Sequence, residues 1–158
     1  MKLLFKIAIT LLLAYLLALL AFLYEEKYRK SIRWCYQFLS QNKISFINHG
    51  KYFHLPSGTF IVSVVVFAAA VVVLLKNQNK TQRLKNILFG ILFFILTTLA
   101  CCYIDSNLKR IECTACNNGT RVLAFNDIDY DVLFITSLAF ALLPALITEI
   151  KNRSKTKS

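Results

Sequence analysis

Four stretches of this chain contain no Asp, Glu, Lys, Arg or His: residues 7–24, 55–75, 86–104 and 132–148. They run to 18, 21, 19 and 17 residues. A helix rises 1.5 Å per residue, so about 20 apolar residues cross a hydrocarbon layer of about 30 Å. Inside lipid a backbone has no water to bond, and a helix is the simplest way to satisfy every N–H and C=O. The chain therefore reads as an all-α membrane protein with four transmembrane helices, at about 5–24, 57–75, 86–104 and 132–149. Residues 1–150 form one membrane domain, and 151–158 form a basic tail.

Composition agrees with that class. Hydrophobic residues make up 57% of the chain, charged residues 17%, and the mean hydropathy is +0.56. The net charge of +11 would suit nucleic acid if it lay on one soluble face. Instead the basic residues sit in short segments between apolar runs, which is how membrane orientation is encoded. The expected partners are the lipid bilayer and other membrane proteins, or a second copy of the chain, and not nucleic acid.

Orientation follows from charge density. The N-terminus, residues 76–86 and the tail together hold ten basic residues and one acid, Glu149. The opposite side holds nine basic residues and seven acids, spread over much longer loops. Basic residues act on orientation near span ends, so both termini are expected in the cytoplasm. The loops 25–56 and 105–131 are then extracytoplasmic, in a plasma membrane or a bacterial inner membrane. The cluster Lys27 to Arg33 pulls the other way.

After the first span, Tyr28, Ile32, Tyr36 and Leu39 recur at helical spacing, with Glu25, Glu26, Lys27, Arg29, Lys30 and Arg33 off that stripe. Two structures fit: an amphipathic helix lying at the interface with Trp34 among headgroups, or a helix packed on its own bundle. Further on, Asn48-His49-Gly50 between β-formers signals a hairpin, and Asn118-Gly119 signals a second of type I′. The two loops are thus expected to build a small β-hairpin-containing extracytoplasmic cap. His49 and His54 lack a second histidine at ligand spacing and read as solvated, so no metal site is expected. Asp127, Asp129 and Asp131 alternate before the fourth span and read as a solvated acidic approach.

Five cysteines, Cys35, Cys101, Cys102, Cys113 and Cys116, would all fall at or beyond the outer face. That is the oxidising side, and the odd count leaves one thiol free or paired between chains. Cys113 and Cys116 form a Cys-x-x-Cys. On a strand running into the Asn118-Gly119 turn, residues three apart point to opposite faces, so each would bond a different cysteine. Structural bridges are expected, one joining this pair to Cys101 or Cys102.

The alternative is redox chemistry. Four spans, an outer Cys-x-x-Cys and nearby Arg121 resemble in architecture the quinone-coupled disulfide-forming membrane enzymes and the vitamin K epoxide reductases. That resemblance implies thiol–disulfide exchange at Cys113 and Cys116, beside Arg121, with a quinone as cofactor. Those families keep the pair in the first outer loop or at the rim of the fourth span. Here it stands 16 residues before the fourth span begins.

Ser137, Ala141 and Ala145 fall four apart and mark a face for close helix packing, as do Thr10, Ala14 and Ala18. Pro144 cannot donate to the Phe140 carbonyl, so a kink is expected there. No Asp, Glu, Lys, Arg or His lies within 55–75, 86–104 or 132–148, which argues against a transporter acting alone. The expected function is a non-catalytic subunit, or interaction partner, of a larger membrane complex, with no cofactor.

Overall fold

The structure is a computed structural model that describes residues 2–41, 43–47, 58–76, 78–108, 120–124 and 127–155. Its elements in order are α1 (Lys2–Leu39), β1 (Lys43–Ile47), α2 (Gly58–Leu75), α3 (Lys80–Leu108), β2 (Thr120–Ala124), α4 (Tyr130–Ala141) and α5 (Leu143–Lys155). By length and composition, four helical segments are able to cross a membrane: Ile9–Leu39, Gly58–Leu75, Lys80–Asn107 and Tyr130–Ser154. The last is the pair α4–α5 taken together. Long runs of exposed Leu, Ile, Val and Phe on all four fit contact with lipid, the medium in which such a surface is stable.

The helices overrun the apolar spans. Helix α1 continues without a break for 38 residues, about 57 Å at the usual rise, which exceeds the hydrocarbon thickness. Nothing between residues 25 and 39 stops it, since neither Gly nor Pro occurs there. Two carboxylate–cation pairs one turn apart support it, Glu25–Arg29 and Glu26–Lys30, each at 2.7 Å. Of the two structures open to this stretch, the interfacial one is replaced by packing on the bundle: Ile32 and Tyr36 are buried in the core. Helix α3 likewise begins inside the basic segment 76–86. Helix α5 runs on to Lys155, so the segment expected as a tail is helical over most of its length. Arg153 and Glu149, paired at 3.0 Å, fasten that last turn.

The fourth crossing breaks where Pro144 removes a donor. Leu142 N–H turns back to the Ala139 carbonyl at 3.2 Å, and the ladder resumes with Leu146 N–H to Leu142 O at 3.0 Å. The interruption separates α4 from α5 at Leu142, two residues before the proline.

Among the described residues the two long loops pair with each other. Strand β1 from the first long loop pairs in parallel with β2 from the second, Lys43 opposite Thr120 through Ile47 opposite Ala124. Parallel partners need a long crossover, and here it is α2 and α3, two passes along the bundle. Two strands alone are marginal and need a packed face. Ile44 and Leu123 supply it, both buried against Ile32, Tyr36, Cys102, Ile128, Tyr130 and Leu133. The Asn48-His49-Gly50 turn and the whole second arm, 51–55, of the first expected hairpin, with His49 and His54, and the Asn118-Gly119 turn of the other, lie outside the described residues.

A second cluster lies deeper. Phe134 of α4 stacks on Phe60 of α2 with centroids 4.0 Å apart, and meets Tyr28 of α1 and Phe94 of α3 edge-on at 5.0 and 6.1 Å. One ring thus joins four helices. Below it, Ser137, Ala141 and Ala145 are all buried. Thr98 Oγ donates to Ser137 Oγ at 2.9 Å, and Gly90 lies so close to α4 that an added Cβ would sit 2.9 Å from the Ala141 carbonyl oxygen.

Candidate functional site

The chemistry of the described residues is concentrated at the end of the bundle beneath the cap. Arg29 projects from α1 between two acids. Its guanidinium reaches Glu25 at 2.7 Å and Asp131, in the first turn of α4, at 3.8 Å. Asp131 also accepts from Thr59 Oγ, at the start of α2, at 2.7 Å. The Arg29 guanidinium lies 4.8 Å from the centre of the Tyr130 ring. One arginine therefore connects α1 to α4, and through Asp131 to α2. Glu25 is only 4% exposed, so its charge depends on these neighbours rather than on water.

A second set of polar links secures α3. Tyr36 donates to the Asp105 carboxylate. Asn107 closes the end of α1, accepting from Gln41 N–H at 3.0 Å and donating to the Leu39 carbonyl at 3.2 Å. The Leu39 carbonyl is one of those that a helix end leaves unbonded. Gln37 reaches the Ile44 carbonyl at 3.4 Å and holds β1 over α1. The hydroxyls of Tyr28 and Tyr130 are buried with no hydrogen-bond partner among the described residues.

Cysteines occupy the same end. Cys102 is fully buried in the cluster under the strands, and Cys35 and Cys101 are half-buried against it. All three are free thiols. The expected bridges to Cys101 or Cys102 are thus not formed, and Cys113 and Cys116 lie outside the described residues. Arg121 sits in β2 opposite Ile44. Among the described residues, no group of three or more His, Cys, Asp and Glu is placed to hold a metal ion. Asp131 serves the Arg29 joint, while Asp127 and Asp129 stay exposed.

The opposite end carries a smaller polar set. Buried Asn86 donates to Gln78 Oε1 at 2.7 Å and accepts from Thr148 Oγ at 3.3 Å. Arg83 folds back onto the carbonyls of Gln78 and Lys76, at 2.6 and 2.8 Å, and closes the α2–α3 turn.

In the sequence Glu25 and Arg29 fall off the apolar stripe, which conceals the joint they make. A signal was nevertheless present: residue 25 lies three before Tyr28 and seven before Ile32, on the same helical face. Asp105, Asn107 and Thr59 carried no comparable mark, because each matters only through a partner more than 60 residues away.

The fold and site together define a four-span helical bundle whose buried ions and amides fasten its helices. No protein-family model, curated protein or solved structure matches the chain.

Proposed function

We propose that the protein is a non-catalytic subunit, or interaction partner, of a larger membrane assembly, engaged from its cap side. One observation carries this reading. On the part of α1 that continues past the apolar span, Trp34 and Phe38 stack at 5.3 Å and 9°, yet are 62% and 72% exposed. They point away from the face that buries Ile32 and Tyr36. A rigid aromatic pair of this kind is the usual anchor of a protein contact. The ionic groups nearby are engaged in holding the bundle together, which suits a fixed platform better than a reaction centre. Both termini are assigned to the cytoplasm, in a plasma or bacterial inner membrane, on the density of basic residues at the other end.

The test is affinity purification in mild detergent with quantitative mass spectrometry. A partner protein is expected in near-stoichiometric amount from the wild type. The double variant Trp34→Ala, Phe38→Ala should lose at least about nine-tenths of it, since central aromatic anchors cost about 2 kcal/mol or more each on truncation. Equal recovery from both forms would refute the aromatic anchor.

A second reading, a quinone-coupled thiol–disulfide oxidoreductase using Cys113 and Cys116 beside Arg121, has one observation in its favour. Cys35, Cys101 and Cys102 gather at the end of α3 from which the segment bearing that pair departs. It requires bound quinone in the purified protein and a Cys113–Cys116 bond that opens and closes with the redox poise. A monomeric product carrying both would put this reading first.

A further inference from the structure

At the end of the bundle away from the cap, α2, α3 and the α4–α5 pair part to leave an open cleft of about 300 Å³. Phe67 and Val71 form one wall, Ile91 and Phe94 the second, Leu138 and Ala145 the third. The cleft arises from the packing already described. Gly90 draws α3 onto α4 at Ala141, and the break at Leu142 re-aims the chain, so the three walls diverge beside the contact. From Phe67 to Leu75 on α2, and from Phe94 to Asn86 on α3, it spans eight residues, about 12 Å at the helical rise. That approaches the depth of one leaflet, half of a hydrocarbon layer of about 30 Å.

Its lining is almost wholly apolar, so water gains nothing there, and a chain of hydrocarbon fits both its length and its chemistry. What stands beyond Leu75 and Asn86, at that end of the cleft, decides which lipid. Lys76 follows the lining residue Leu75, and Lys85 precedes the lining residue Asn86. Lys80 opens α3. Lys151 lies three residues beyond Thr148, whose hydroxyl bonds Asn86 at 3.3 Å. All four lysines are exposed. Arg83 is folded onto two carbonyls and Arg153 is paired with Glu149, so among the side chains described at this end these four lysines contribute most to the local field.

We infer that this cleft holds an acyl chain of an anionic phospholipid, with its phosphate among Lys76, Lys80, Lys85 and Lys151. Basic residues at the leaflet surface attract anionic headgroups, and an apolar slot between helices fixes the chain beneath. The lipid would then be an ordered part of the bundle, spreading α2 from α5 while the joint at the far end keeps them in register. This inference does not depend on the proposed partner, since it concerns the opposite end of the molecule.

The test uses the full-length protein, delipidated in detergent and then offered equal amounts of dioleoyl phosphatidylglycerol and dioleoyl phosphatidylcholine, with bound lipid counted by native mass spectrometry. The wild type should retain one phosphatidylglycerol in about tenfold preference, given the attraction of several lysines for its net negative headgroup, which the choline cation of phosphatidylcholine neutralises. Val71→Trp, which fills the slot, should abolish retention. Should that variant misfold, the triple change Lys76→Gln, Lys85→Gln, Lys151→Gln leaves the slot intact and should keep a bound lipid while bringing the preference close to parity. Equal retention of the two lipids by the wild type would overturn the inference. So would retention of phosphatidylglycerol by a folded Val71→Trp, or loss of a co-purifying protein in place of lipid from that variant.

Discussion

Replacing Arg29 with methionine should lower the stability of the bundle in detergent by about 3–5 kcal/mol, the usual cost of removing one partner from a buried ion pair. The guanidinium sits 2.7 Å from a Glu25 that is 4% exposed, and its side chain is itself only 17% exposed. Without it, the Glu25 carboxylate stays in a place with little water and loses its nearest cation. Asp131 loses its tie to α1 in the same step, so α1 and α4 should loosen together. Adding Glu25→Gln to the variant removes the buried charge and should recover a good part of the loss. The neighbouring pair provides the control. Glu26 and Lys30 are also 2.7 Å apart and one turn apart, but 75% and 65% exposed. Lys30→Met should therefore cost no more than about 0.5 kcal/mol, as exposed pairs of this spacing do. Thermal melts followed by circular dichroism separate these outcomes. Equal effects at positions 29 and 30 would mean that the joint carries no special weight.

Gly90→Val is the second large expected effect. An added Cβ at position 90 would lie 2.9 Å from the Ala141 carbonyl oxygen, a backbone atom that cannot swing aside. Helix α3 must then move off α4, opening the Thr98–Ser137 hydrogen bond and the buried face of Ser137, Ala141 and Ala145. Overpacking of this kind costs about 1–3 kcal/mol. In lipid it acts on the van der Waals contact that holds helices together in the absence of a hydrophobic drive. Ala141→Leu, from the other side of the contact, should act in the same direction. Gly58, where an added Cβ would meet nothing within 4 Å, is the contrast. Gly58→Ala should be neutral or slightly stabilising, because it only reduces the freedom of the unfolded chain. The same melts read both glycines, and similar losses at 58 and 90 would refute the close contact.

The spans were legible because hydropathy and helix are coupled in lipid, and four charge-free runs leave few other solutions. The helix ends were not. Hydropathy marks where a helix leaves hydrocarbon, whereas the helix stops where its backbone bonding stops. In α1 that point is Leu39, 15 residues past the last apolar residue of the span at Tyr24. In α5 it is Lys155. The strands show a different limit. Asn118-Gly119 is a local signal and speaks for a local hairpin. The pairing of Ile44 with Arg121 is decided instead by where α1 and α4 bring two distant loops together. Arg29 shows the same limit in a single side chain. Its pairing with Glu25 is readable from spacing, but its meaning comes from Asp131, which is 102 positions away.

Four crossings would put the cap side and the lysine-rich side of the bundle in opposite compartments. Single cysteines placed at position 80 or at position 118, in a chain whose five native cysteines are replaced, test it with a membrane-impermeant thiol reagent. In intact cells, Asn118→Cys should be labelled, while Lys80→Cys should react only after the membrane is opened. Labelling of both from the same side would contradict four crossings, and labelling of position 80 alone would turn the molecule over.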